Sequence, residues 1–204
     1  MAKKKFYAIR TIDGETVNEI ETDWSECEKR VKGHNCQYKS FTTETEAKEY
    51  LGDYKEEEKE EDVVAKGEYI YYVDGSYMND MIGWGFILTK ENKEITRLAG
   101  GIQPSEDIGS RNIEGELEAS KMAVRHAVSN GIKNFYIGHD LQGISSYITG
   151  AWEADKQTTK DYTVWMKNKI KEHGLDINFI KIKGHTGHKW NDKADKLAKL
   201  GTEL

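Results

Sequence analysis

Eight consecutive residues, Lys55-Glu56-Glu57-Glu58-Lys59-Glu60-Glu61-Asp62, are all charged, with no apolar side chain among them. A core cannot take in such a run, because a charged group removed from water is costly unless it is paired. Compact structure must therefore form on either side of it. Residues 55–66 read as a solvated linker, helical or disordered. They separate a small segment, residues 1–54, from a larger one, residues 67–204. The small one buries little core and is marginal alone, whereas the larger has an ordinary domain size.

The charge distribution agrees with this division. Of a net charge of −6, residues 1–54 carry −2, residues 55–66 carry −3 and residues 67–204 only −1. An acidic total argues against a generally nucleic-acid-binding surface. Even so, residues 156–199 hold 11 Lys against 5 acids, which leaves room for a local positive face. The mean hydropathy of −0.79, with no apolar run near 18 residues, excludes a membrane-spanning helix. Five Trp, eleven Tyr and five Phe exclude wholesale disorder. The basic start is followed by too short an apolar stretch for a signal peptide. Two cysteines, Cys27 and Cys36, support neither a disulfide framework nor a four-ligand zinc site. The expectation is a cytoplasmic protein with no membrane contact and no obligate protein partner, most simply a monomer.

Periodicity predicts the elements. In the first segment, residues 5–10 and 37–41 read as strands and residues 24–31 and 44–51 as helices. Thr43 and Glu46 form a capping pair, and residues 13–23 read as an acidic insertion. In the second, strands fall at 68–74, 82–89 and 93–98, with Glu91-Asn92 as a hairpin turn. A helix over 113–129 closes at Asn130-Gly131. A strand at 134–139 and a short helix at 141–149 follow. Next come a helix through Tyr162, Trp165, Met166 and Ile170, a strand at 177–183 and a helix at 191–200. Three strands followed by alternating helices and strands imply an α/β domain, a mixed sheet flanked by helices, beside a small α+β domain.

Four acids stand out. Asp74 and Asp140 close apolar strands, and Glu116 and Asp195 border apolar helix stripes. Taken singly, each has an ordinary reading as a turn residue, a helix-dipole partner or a solvated side chain. A zinc reading of His185 and His188 lacks nearby thiols or a third histidine.

The stretches around them are similar to type-one ribonuclease H. They are Tyr72-Val73-Asp74-Gly75-Ser76, Asn112-Ile113-Glu114-Gly115-Glu116-Leu117, Tyr136-Ile137-Gly138-His139-Asp140, and Lys183-Gly184-His185-Thr186-Gly187-His188 running into Asn191-Asp192-Lys193-Ala194-Asp195. The resemblance spans most of residues 68–200. It implies a five-stranded mixed sheet with three antiparallel strands, and one site made by Asp74, Glu116, Asp140 and Asp195 with His185 beside it. It also implies two Mg²⁺ ions, for which Mn²⁺ can substitute, and hydrolysis of the RNA strand of an RNA–DNA hybrid to 5′-phosphate and 3′-hydroxyl ends. In that scheme Asp74 bridges the ions, Glu116 and Asp140 complete one site and Asp195 the other. His185 shuttles protons and His188 fixes its loop. Asn112 matches a position that contacts base edges in the minor groove, Asn79 stands in for a polar contact of the family's longer loop, and Ser110 and Arg111 are candidates for a phosphate of the DNA strand. Three departures are visible: Ile113 replaces a polar amide, the loop Tyr77-Met78-Asn79-Asp80 is shorter than the one common in the family, and residues 143–160 lack the basic gripping element of many relatives, with Trp152 there read as packing.

Residues 5–51 resemble the viroplasmin-like, hybrid-binding domain that precedes many ribonucleases H, through Phe6-Tyr7-Ala8-Ile9-Arg10, Trp24-Ser25-Glu26-Cys27 and Tyr38-Lys39-Ser40-Phe41. The resemblance implies that Trp24 and Tyr38 stack on deoxyribose, that Lys39 meets a phosphate and that Tyr7 assists. Phe41 reads as core. Two rival readings remain at this point: a binding protein with an inactive scaffold, and a related nuclease acting on another duplex.

Overall fold

The computed structural model describes residues 5–52, 58–105, 111–184 and 187–204. It divides into two compact units. One is Met1–Glu56 with Thr149–Glu153, and the other is Glu57–Ile148 with Ala154–Leu204.

The small unit is a three-stranded antiparallel sheet, order β2-β1-β3, formed by β1 (Phe6–Ile12), β2 (Glu15–Glu21) and β3 (Cys36–Phe41). Helix α1 (Trp24–Val31) covers one face, where Ile9 meets Cys27 and Val31. Helix α2 (Glu44–Gly52) covers the other, where Ala8 meets Ala47 and Tyr50. Successive β1 residues thus feed opposite cores, as strand alternation requires. The Thr43–Glu46 capping pair forms in both directions: Thr43 Oγ1 accepts the Glu46 N–H at 3.2 Å, and the Thr43 N–H donates to Glu46 Oε2 at 3.1 Å. Phe41 packs against Tyr50, with ring centroids 5.2 Å apart, in agreement with its reading as core.

The acidic insertion expected at 13–23 is instead β2. Asp13 and Gly14 both have positive φ and turn β1 directly back on itself. The Asp-Gly pair is a strong hairpin signal. Its charged strand hid it, because β2 is an edge strand whose outward residues need no apolar partner.

The larger unit is the expected α/β domain. Its sheet has the order β6-β5-β4-β7-β8, from β4 (Tyr69–Met78), β5 (Met81–Lys90), β6 (Lys93–Ile102), β7 (Asn134–His139) and β8 (Asp176–Lys181). The first three are antiparallel, and β4–β7 and β7–β8 are parallel. Glu91 and Asn92 both take positive φ in the β5–β6 turn, as expected. On one face Tyr71, Val73 and Phe86 pack with Leu117, Val124 and Ala127 of α4 (Arg111–Ser129) and with Tyr162 and Met166 of α6 (Gln157–His173). On the other, Ile70, Tyr72 and Ile87 pack with Trp190 of α7 (Lys189–Gly201). The short helix α5 (Gly143–Thr149) follows β7.

The charged run leads into a helix. Helix α3 (Glu60–Ala65) begins inside it, and Val63 is fully buried beside Ile70 and Tyr72. Among the described residues no helix is long and apolar enough to cross a membrane.

Candidate active site and aromatic groove

Strand β4 runs four residues past Asp74, which therefore sits within the strand and not at its end as expected from the sequence. The parallel neighbour ends sooner. Tyr72 pairs with Gly138, β7 stops at His139, and Asp140 follows at once. Two residues on along each strand, Asp74 and Asp140 thus face the gap where the ladder has ended. Glu116 arrives from α4 because Gly75 and Gly115 let helix and strand touch. A Cβ on Gly75 would collide with the backbone of Gly115 and Glu116.

The structure brings three of the four acids together. Ligand oxygens of Asp74, Glu116 and Asp140 lie within 4.8 Å of one another. Asp195 is not in that group. It projects from α7, and its Oδ2 accepts from Lys199 Nζ at 2.7 Å. It is still near enough for its charge to act on Asp74.

Electrostatics follow from crowding. Asp74 is 9% exposed. Burial first, then the Asp140 charge, pushes its carboxyl up to about 7, while the Gly75 N–H donating to Oδ1 at 2.7 Å opposes the rise. Burial and the charges of Asp140 and Asp74 push Glu116 up to about 9. Glu116 Oε2 is buried and has no hydrogen-bond partner. Carboxylates packed this tightly repel one another. An all-oxygen donor set with an orphaned acceptor fits a hard divalent cation. The cluster could hold such an ion.

His185 and Ser110 lie outside the described residues. Asn112 falls in the first turn of α4. Asn79 sits with positive φ in the β4–β5 turn. Arg111 donates to the Tyr77 hydroxyl and lies 3.5 Å from Asp80, so it is tied to that turn. Ile113 packs against the core, which accounts for the missing polar amide. His139, passed over in the sequence, is fully buried next to Asp140 and edge-on to Phe179. Burial pushes it down to about 3, so it is neutral near pH 7.

In the small unit, Tyr7, Trp24 and Tyr38 share the α1 face of the sheet. Ring centroids are 5.3 Å apart for Tyr7–Trp24 and 6.1 Å for Trp24–Tyr38. Trp24 remains 42% exposed and Tyr38 39%. They line a groove of about 390 Å³ with Lys39 and also Trp152, which the sequence reading assigned to packing. The Lys39 ammonium lies 5.9 Å from the Phe41 ring centroid, because alternation along β3 turns it away from the Tyr38 face.

Fold and cluster define an α/β domain with an acidic pocket able to hold a metal ion. Comparison with known proteins narrows that class. Residues 66–203 match the family model described as RNase H, and residues 5–51 match the one described as Ribonuclease H1 N-terminal domain. Ribonuclease H of Chromobacterium violaceum is 31% identical over 131 residues, 59% of this chain and 84% of that one. Ribonuclease H of a Bradyrhizobium strain is 33% identical over 129 residues, 60% and 80% of the two chains. Among solved structures, RNase H1 from Halobacterium salinarum superposes with a TM-score of 0.57 at 20% identity, covering 67% of this chain and 98% of its own. LC11-RNase H1, solved in complex with an RNA/DNA hybrid, gives 0.57 at 19% identity, covering 66% and 96%. The chain therefore belongs to the ribonuclease H family and is an enzyme of that kind.

Proposed function

We infer that this chain is a metal-dependent endonuclease that cuts the RNA strand of RNA–DNA hybrids, leaving 5′-phosphate and 3′-hydroxyl ends. The observation that carries the reading is the carboxylate cluster: three acids within 4.8 Å, two of them destabilised as anions by burial and by one another. Mg²⁺ is the natural occupant of an all-carboxylate site, and Mn²⁺ can replace it. Asp74, Glu116 and Asp140 would hold it, and Asp195, paired with Lys199 when no ion competes, completes the set. A pair of such ions, when bound, activates a water and stabilises the leaving oxygen of an in-line displacement.

The chain's own residues do the rest. Glu116 Oε2, lacking a protein partner, is suited to accept a hydrogen bond from a ribose 2′-hydroxyl. That hydroxyl is what separates RNA from DNA. Arg111, Asn112 and Asn79 would serve as groups for the nucleic-acid backbone and groove. His185, by the family resemblance, would move a proton. In the small unit, Trp24 and Tyr38 offer flat rings to the sugars of the DNA strand, Tyr7 supports them and Lys39 takes a phosphate. Stacking of this kind tolerates any base sequence. The match of residues 5–51 and the hybrid bound in a solved relative support this assignment.

The test compares cleavage of an RNA–DNA hybrid, double-stranded DNA and double-stranded RNA of one sequence in Mg²⁺, with end-group analysis of the products. Hybrid alone should be cut. Equal rates on all three duplexes would sink the substrate assignment. Asp74→Asn should abolish cleavage while the hybrid still binds.

A further inference from the structure

One residue of the charged run reaches the carboxylate cluster through two intermediaries. Glu60 begins α3, and its carboxylate accepts from the Tyr72 hydroxyl. It also lies 2.8 Å (Oε2) and 3.0 Å (Oε1) from His188 Nε2. The other ring nitrogen, His188 Nδ1, caps α7 by accepting the Asn191 N–H at 3.2 Å. An accepting Nδ1 carries no proton, so the ring hydrogen is on Nε2, facing Glu60. The imidazole is thus held at both ends in one tautomer.

Asn191 turns this anchor toward the site. It is 4% exposed, and its Nδ2 donates to Asp140 Oδ2 at 3.3 Å. Its Oδ1 is buried without a partner, as is Glu116 Oε2 in the cluster. The neighbouring segment has no slack, since a Cβ on Gly184 would lie 2.8 Å from Asp140 Oδ2.

The geometry points to Glu60 as a positioning residue for the metal site: through His188 and Asn191 it sets the orientation of the Asp140 carboxylate and so the affinity of the cluster for a divalent cation. The acidic run then contributes to the catalytic unit and not only to spacing. This rests on the metal reading of the cluster given above. Groups that orient a metal ligand commonly change metal affinity about 10- to 100-fold. Asn191, in contact with Asp140, should be worth about tenfold, and Glu60, two hydrogen bonds further out, about threefold.

The experiment is calorimetric titration of the full chain with Mn²⁺, run beside steady-state cleavage at limiting Mg²⁺. Asn191→Ala should weaken Mn²⁺ binding about tenfold and Glu60→Ala about threefold, with turnover at limiting Mg²⁺ falling in step and KM for hybrid unchanged. Glu60→Gln keeps an acceptor for His188 and should restore near-native affinity. The double variant Glu60→Ala/Asn191→Ala should bind Mn²⁺ no worse than Asn191→Ala alone, because the two act in series. If Glu60→Ala binds Mn²⁺ like the wild type, or if the two losses multiply, Glu60 has no positioning role. If Asp140→Asn itself leaves Mn²⁺ affinity unchanged, the metal reading fails and this inference with it.

Discussion

Replacing Asp74 by Asn should make the metal-free protein more stable while disabling it. The carboxyl at this position is raised from an ordinary 3.8 to about 7 by burial and by the charges of Asp140 and Asp195. Each tenfold change in proton affinity is worth about 1.4 kcal/mol, so keeping this group ionised at pH 8 costs the folded state about 4 kcal/mol. The native state holds its proton where the unfolded chain has already lost it. Stability from this group therefore falls as pH rises from about 4 to about 7 and is fully lost above that. Asn removes the charge and retains an oxygen for the Gly75 N–H, while its amide hydrogens must find acceptors in the pocket. With that offset, a gain of about 1–3 kcal/mol is expected, or about 3–10 °C in Tm for a domain of this size. The assay is thermal melting by circular dichroism in chelator, at pH values from 4.5 to 8. The gap between variant and wild type should be small at pH 4.5 and widen to pH 8. A variant that melts at or below the wild type at pH 8, or a gap that ignores pH, would refute the electrostatic account.

Gly75→Ala should destabilise the larger unit by more than about 3 kcal/mol, since its methyl meets the backbone of α4 and not a movable side chain. Chemical denaturation measures this, and a native-like midpoint would show that the helix can shift. Trp24→Ala should weaken hybrid binding in chelator by about 1–3 kcal/mol without changing its salt dependence. Lys39→Ala should lower the salt slope by about one; an unchanged slope would remove Lys39 from the phosphate contacts.

Much of the fold was legible from periodicity. Apolar residues at both parities of residues 69–73 imply a strand buried on both faces, and both faces of β4 are buried. The turn signals at Glu91-Asn92, Asn130-Gly131 and Gly174 all fall at element ends, where positive φ is needed. One element escaped: β2 is polar because it lies at a sheet edge, whereas α3 takes the helical option left open for residues 55–66 and buries a single valine, which its charges concealed. The candidate acids were nameable in sequence only through their flanking motifs, since nothing in spacing brings residues 74, 116 and 140 together.

Local chemistry alone determined which faces of this chain's strands and helices turn inward and which acids sit next to apolar elements. Those properties depend on neighbours within a few residues. Tertiary structure decided that the β4–β7 ladder stops two residues short of Asp74, that paired glycines let α4 touch β4, and that Asp195 pairs with Lys199 on α7. It also decided that Glu60, from the most solvated stretch of sequence, binds His188 in the same unit as the cluster. Carboxylate repulsion and burial depend on distances of a few ångströms between residues far apart in the chain, and only packing sets those distances.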